Sequence, residues 1–160
     1  LLAKKVKADS TAIQQYANTW LGVDCTGFAS AYLVFEGKLN APVHHLPTFF
    51  SRKARLRMAV EDVQQGDLVI WWDVRAGHEA KPAGSSVGHA VLIDSNYQNG
   101  LFDTVESGGF NLGKGPVGPM TSQFTVPKKN GVDEVGQWQL RRLQPTPGTS
   151  YSKVAIMDPY

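Results

Sequence analysis

The sequence predicts an α+β domain in which helices come first and strands follow. Residues 9–20 carry apolar side chains at helical spacing, and a second helical stretch begins at Asp24 and ends near Phe35. From Gly66 onward the pattern changes, because short apolar runs alternate with turn residues. This order favours N-terminal helices packed on a small antiparallel sheet.

Both predicted helices have start and stop signals. Ser10 is an N-cap residue type for the first helix, whose apolar side chains share one face: Ile13, Tyr16 and Trp20. Asp24 is an N-cap type for the second, whose apolar side chains form one stripe: Phe28, Ala29, Tyr32, Leu33 and Phe35. Gly37 ends this helix. Residues 40–57, rich in Pro and His and then basic, are expected to form a loop with one helical turn.

Strands are predicted from Leu68 onward. The unbroken apolar run Leu68–Trp72 is typical of a strand that is buried on both faces. Further strands are predicted at residues 89–93, 101–106 and 137–143. The first two of these flank Asn99-Gly100, a pair typical of hairpin turns. The Gly-rich stretch 107–123 is expected to be irregular, and the chain after Pro145 is expected at the surface.

Composition limits the class of protein. With 160 residues, of which 42% are apolar, the chain has the length of one domain, predicted over residues 1–160 with a core of about 10–143. The net charge of +2, without a long basic run, argues against a nucleic-acid partner. No apolar run approaches the ~20 residues of a membrane span. The single cysteine excludes an internal disulfide and a thiolate zinc cluster.

Cys25 is therefore either a small core residue or a nucleophile. It follows the N-cap residue Asp24, so it lies at the first position of the predicted helix. Backbone N–H groups and the helix dipole favour a thiolate at this position. Thr26-Gly27 leaves room for a substrate to approach.

A nucleophilic cysteine needs a base, and His89 is the best of four histidine candidates. His44, His45 and His78 lie in predicted loops, where surface histidines are common. His89 opens a predicted strand directly after a glycine, and a strand holds an imidazole more rigidly than a loop does. The competing interpretation is a structural histidine at a sheet edge.

Strand alternation selects Glu106 to orient the imidazole. In the two hairpin registers considered, Glu106 lies opposite either His89 or Ile93, and in both it shares the face of His89. Asp94 and Asp103 fall on the other face in both registers. The competing interpretation is that Glu106 is a solvated carboxylate at a strand end.

Three motifs carry a resemblance to a known family. Asp24-Cys25-Thr26-Gly27-Phe28 resembles the DCSGF signature that opens the catalytic helix of NlpC-type cysteine peptidases. Gly66–Trp71 resembles their GDLVFF strand, and Val87–Ile93 resembles their GHVGIY strand, which supplies the catalytic histidine. The match spans residues 16–143, with the motifs in the family's order. Two features are similar to the related CHAP amidases, namely a glutamate, Glu106, as the third residue of the triad and the stretch Gly88-His89-Ala90-Val91.

The resemblance implies a papain-like core and an endopeptidase or amidase that cleaves bacterial cell-wall peptides without metal or cofactor. Cys25 would attack the carbonyl, His89 would transfer the proton and Glu106 would hold the imidazole. The oxyanion or substrate-binding positions would be Tyr16, Asp24, Gly88 and Trp71. Tyr16, nine residues before Cys25, is the tyrosine that could take the oxyanion role, and the segment that ends at Trp20-Leu21-Gly22 is shorter here than in the family.

The resemblance also sets the expected partner and location. The partner is a peptidoglycan peptide, an inhibitor or immunity protein is a further candidate, and the location is periplasmic, cell-wall associated or secreted from a bacterium. A housekeeping hydrolase, a phage lysin and an exported toxin all fit. Two alternatives stay open, namely a transglutaminase-like acyl transferase and an inactive domain that binds peptidoglycan or peptides.

Overall fold

The structure is a computed structural model that describes residues 25–41, 55–73, 81–82, 89–108, 118–127, 131–145 and 147–159. Within these ranges the chain forms one α-helix, α1 (Cys25–Phe35), and a 3-10 helix at Val60–Asp62. The strands are β1 (Arg55–Leu56), β2 (Leu68–Ile70), β3 (Trp72–Asp73), β4 (Lys81–Pro82), β5 (Ala90–Gln98), β6 (Leu101–Gly108), β7 (Gly118–Thr125), β8 (Trp138–Gln144) and β9 (Ser152–Asp158).

Seven of these strands form one antiparallel sheet in the order β1-β9-β2-β5-β6-β7-β8. Strand β9 also pairs with β8, so that β9, β2, β5, β6, β7 and β8 close into a ring. Strands β3 and β4 pair with each other outside this sheet. The ring gives the sheet an inner face, enclosed by six strands, and an outer face.

The apolar core has two layers, one on each face of the sheet. Helix α1 packs on the outer face through these buried residues: Ala29, Leu33, Leu68, Ile70, Ala90, Leu92, Ala155 and Met157. The inner face is filled from all six strands of the ring: Val69, Val91, Ile93, Phe102, Phe124, Trp138, Leu140, Val154 and Ile156. Neighbouring strand residues enter different layers because side chains alternate between the two faces. The strand β2 is buried on both faces, as its unbroken apolar sequence predicts.

Helix α1 ends as the sequence predicts. Gly37 adopts a positive φ of 70°, which glycine reaches without steric cost. The N–H groups of Gly37 and Lys38 then bond to the carbonyls of Val34 and Leu33, which satisfies the last turn. In the described part of the chain, no helix has the length and apolar character needed to cross a membrane.

The hairpin β5–β6 forms around the two-residue turn predicted at Asn99-Gly100. Both turn residues have a positive φ, 51° and 84°, as a type I′ turn requires. Gln98 pairs with Leu101 beside the turn, but two register shifts bring Leu92 opposite Val105 further along. The two shifts together displace the register by two residues. The two shifts cancel in parity, so the residues of β5 and β6 on either side of the shifts keep their predicted faces.

The predicted fold class, an α+β papain-like core with N-terminal helices on a small antiparallel sheet, is wrong. The described chain is mostly a large antiparallel sheet with a single short helix. Two strands account for the difference, since β7 lies partly in the stretch expected to be irregular and β9 in the tail expected at the surface. The first predicted helix, at residues 9–20, lies outside the described residues.

Each missed strand has a physical reason. Strand β7 contains Gly, Pro and polar residues, but its alternate residues Ser122 and Phe124 are buried. Strand β9 carries a run of four buried residues, Val154–Met157, because it pairs with β1, β2 and β8 in the middle of the sheet. Tertiary pairing therefore decides both strands.

Candidate active site

The fold brings Cys25, His89 and Glu106 together. Cys25 is the first residue of α1, which packs against β5 and β6. His89 directly precedes β5, and Glu106 lies near the end of β6. The side chains of Cys25 and His89 interact, and His89 Nε2 lies 2.5 Å from Glu106 Oε2. A thiol, an imidazole and a carboxylate thus form one continuous chain.

The environment of Cys25 favours its thiolate. The residue is buried, with 7% of its surface exposed, and burial by itself would raise the pKa of the thiol. The hydrogen bond and charge of His89, the backbone N–H of Ala90 and the hydroxyl of Thr26 outweigh burial, so the pKa lies below its usual 9.0. The start of α1 adds the favourable end of a helix dipole.

Glu106 determines which nitrogen of His89 acts on the thiol. An ionised carboxylate only accepts hydrogen bonds, so Nε2 of His89 must carry the hydrogen that Glu106 receives. Nδ1 is therefore the ring nitrogen that is left to exchange a proton with Cys25. Burial alone would lower the pKa of His89, but its interactions with Cys25 and Glu106 raise it to about 9. The imidazole is thus held protonated at neutral pH.

The carboxylate of Glu106 is fully buried and yet remains ionised. Burial would raise its pKa, but hydrogen bonds from His89, Arg142 and Ser122, together with the charge of Arg142, lower it to about 2. Arg142 Nη2 donates to Oε2 at 2.9 Å, while Arg142 Nη1 and Ser122 Oγ both donate to Oε1. The carboxylate is therefore fixed in position as well as in charge.

Sequence analysis did not assign a role to Arg142 or Ser122. Arg142 continues the alternation of Trp138 and Leu140 along β8, both of which are buried on the inner face. An arginine on a core-facing position of a strand indicates a buried anion nearby. That signal was present in the sequence, but the anion could be found only once β8 was placed beside β7.

Trp71 contributes a wall of the site. Its ring centroid lies 5.1 Å from that of His89 and 5.6 Å from that of Phe124. The backbone N–H of Trp71 also donates to the carbonyl of His89 at 2.9 Å. Trp71 therefore fixes the backbone of His89 and covers its ring.

The other predicted positions separate into two groups. Asp103 is exposed and bonded to Ser95 and Gln123, on the face of β6 away from His89, and Asp94 is also exposed. The remaining positions lie outside the described residues: Tyr16, Asp24, Gly88, His44, His45 and His78.

Comparisons with protein-family models, with curated proteins and with solved structures found no match to this chain. A buried thiolate beside a protonated imidazole can attack an electrophilic carbon, and the imidazole then has a proton to give to a leaving group.

Proposed function

We propose that this protein is a cysteine hydrolase that cleaves amide bonds in bacterial cell-wall peptides through an acyl-enzyme on Cys25. The line of interacting side chains from Cys25 through His89 to the buried, ionised Glu106 carries the proposal. Such a chain has little value as a packing device, because it places ionisable groups in a poorly solvated setting. It is well suited to nucleophilic catalysis.

Acylation begins with attack of the Cys25 thiolate on the carbonyl carbon of the scissile amide. The carbonyl π electrons move to oxygen, and backbone N–H groups at the start of α1 can stabilise the resulting oxyanion. Nδ1 of His89 gives its proton to the amide nitrogen, the carbon–nitrogen bond breaks and the amine leaves. Cys25 then carries the acyl group as a thioester, and His89 is neutral.

Deacylation reverses these roles. Nδ1 of His89 takes a proton from a water molecule while the water oxygen attacks the thioester carbonyl. The carbon–sulfur bond breaks, the peptide leaves as a carboxylic acid, and the thiolate and the imidazolium are restored. Glu106 accepts the Nε2 hydrogen throughout, so the imidazole keeps its orientation and its tautomer.

The substrate class is supported by the sequence resemblance. The stretches around Cys25, Leu68 and His89 resemble three motifs of NlpC-type peptidases in the same order, and the net charge of +2 suits an anionic cell wall. These observations concern local sequence, and they do not depend on the helix content of the domain.

Digestion of purified peptidoglycan tests this proposal. Wild type is expected to release peptide fragments, which mass spectrometry identifies together with the bond that was cut. The Cys25→Ala variant and wild type treated with iodoacetamide should release none, whereas Arg141→Gln should cleave normally. If Cys25→Ala cleaves as well as wild type, the nucleophile is refuted.

Two further outcomes decide between the remaining interpretations. If wild type releases no fragments but Cys25 is alkylated rapidly at neutral pH, the site is reactive and its substrate is not peptidoglycan. In that case, mass gain on a peptide after an amine is added would indicate acyl transfer. A silent protein with a slowly alkylated thiol would indicate a binding domain.

A further inference from the structure

The buried carboxylate of Glu106 is the meeting point of three strands. It receives both terminal nitrogens of Arg142 from β8, the hydroxyl of Ser122 from β7 and Nε2 of His89 from the start of β5. A bidentate guanidinium fixes both the plane and the charge of a carboxylate, which a single hydrogen bond does not. Glu106 is therefore held far more tightly than its contact with His89 requires.

The hydrogen bonds around Glu106 run in one direction. Because the carboxylate only accepts, Ser122 donates its hydrogen to Oε1. The hydroxyl of Thr104 lies 2.9 Å from Ser122 Oγ and 3.3 Å from the Ser122 carbonyl, and it donates to Ser122 in both contacts. The hydrogens of Arg142, Ser122 and His89 thus point towards Glu106, and Nε2 of His89 is protonated as long as the carboxylate is ionised.

Arg142 is itself held in place by an aromatic contact. Its guanidinium carbon lies 4.8 Å from the centroid of the Phe124 ring, within the range of a cation–π interaction. Phe124 in turn contacts Trp71, which contacts His89. The guanidinium is thus fixed on one side by an aromatic ring and on the other by the carboxylate.

We propose that Arg142, assisted by Ser122, is a positioning residue that keeps Glu106 ionised and thereby fixes His89 in the tautomer with Nδ1 free to act on Cys25. The inference rests on the proposed nucleophilic role of Cys25. Without Arg142, burial would favour the protonated carboxyl. A protonated Glu106 could donate to Nε2, which would move the imidazole hydrogen to Nδ1 and leave the neutral imidazole unable to take the proton of the Cys25 thiol.

Arg141 is a matched control for Arg142. It lies on the same strand, next in sequence, but its guanidinium contacts the ring of Tyr151 at 5.3 Å. Arg141→Gln therefore removes the same charge from β8 without touching Glu106. Any effect of net charge alone would appear in both variants.

The first test reads the tautomer of His89 by ¹⁵N NMR in a Cys25→Ala background, where the imidazole titrates without the thiol. With Arg142 present, neutral His89 should show a protonated Nε2 and an unprotonated Nδ1. Arg142→Gln should mix or invert these two signals, and Arg141→Gln should leave them unchanged. A His89→Gln variant assigns the signals among the four histidines of the chain.

The second test reads Cys25 by its rate of alkylation with iodoacetamide against pH. Arg142→Gln should raise the apparent pKa of the thiol by about one pH unit, and Arg141→Gln should not. If Arg142→Gln lowers the melting temperature but changes neither the tautomer nor the alkylation profile, Arg142 is only structural and the inference is overturned. A fall in the apparent pKa of the thiol would overturn it as well.

Ser122→Ala covers the case in which Arg142→Gln does not fold. It removes one donor to Glu106 with little change in volume and should shift the tautomer in the same direction by less; an unchanged tautomer would contradict the inference. Both tests work without a substrate. Failure of every variant, including the parent, to cleave peptidoglycan would refute the proposed substrate and leave these results standing.

Discussion

The most informative single substitution is Glu106→Gln, which removes a charge from the centre of the site and keeps the shape of the side chain. Glu106 helps raise the pKa of His89 from 6.5 to about 9, against the opposing effect of burial. Without the carboxylate charge, we expect the pKa of His89 to fall towards or below 6.5. The imidazolium would then no longer be present at neutral pH to stabilise the thiolate.

The size of the effect follows from the thiolate fraction of Cys25. If the pKa of the thiol returns to its usual 9.0, only about 1% of the protein carries a thiolate at pH 7. The rate of alkylation at pH 7 should therefore fall from the wild-type rate towards that of an ordinary cysteine thiol. Intact-mass spectrometry measures this rate cleanly, because Cys25 is the only cysteine in the chain.

Asp103→Asn is the matched control for this experiment. Asp103 lies on the same strand, β6, but it is exposed and bonded to Ser95 and Gln123. The same change from acid to amide should leave the alkylation profile unchanged there. Superimposable profiles for wild type and Glu106→Gln would refute the argument that the carboxylate charge sustains the thiolate.

Three further predictions concern stability. The raised pKa of His89 stabilises the fold below pH 6.5 and is lost as the pH rises through about 9, whereas the lowered pKa of Glu106 stabilises it above pH 4.5 and is lost as the pH falls towards about 2. Because the lowered pKa of Cys25 opposes the His89 effect above pH 6.5, the test lies on the acid side: the melting temperature should fall as the pH drops from 4.5 towards 2, and a constant melting temperature over this range would contradict an ionised Glu106. Ile156→Ala should lower the free energy of unfolding in urea by about 2–5 kcal/mol, because β9 is central and Ile156 is buried. Phe35→Ala, at an 85% exposed position, should lower it little. Equal losses in the two variants would count against a central β9. Asp67→Asn should lower the free energy of unfolding by about 2 kcal/mol, since it breaks the bidentate pair with Arg57. Urea unfolding curves that overlay on wild type would exclude this contribution of the pair.

Local sequence was sufficient to predict those structural features whose physical cause is local. The turn at Asn99-Gly100 and the helix end at Gly37 follow from residues that tolerate a positive φ. The placement of Glu106 on the face of His89 follows from strand alternation, because the register set by the turn is displaced by an even number of residues, two, before it reaches Glu106. These features need no knowledge of distant strands.

The features that could not be predicted depend on pairings between distant parts of the chain. Nothing local in β7 or β9 shows that these segments are strands of a closed ring, because their partners lie elsewhere in the sequence. The role of Arg142 was hidden for the same reason, since its carboxylate partner lies 36 residues earlier in the chain. The fold class was therefore wrong, although the sequence had indicated Cys25, His89 and Glu106.

Closure of the sheet by β9 has a consequence for the order of folding. The hairpin β5–β6 can form early from neighbouring residues, but the ring is complete only when β9 has inserted between β2 and β8. Such long-range pairings cost loop-closure entropy before their contacts compensate for it, so they form late. Helix α1, which begins at Cys25, packs with Ala155 and Met157 of β9, so the thiol reaches its final place in that late step. During refolding, the gain of thiolate reactivity at Cys25 should thus coincide with the burial of Ile156, and a nascent chain that has not yet released β9 should hold an unreactive thiol.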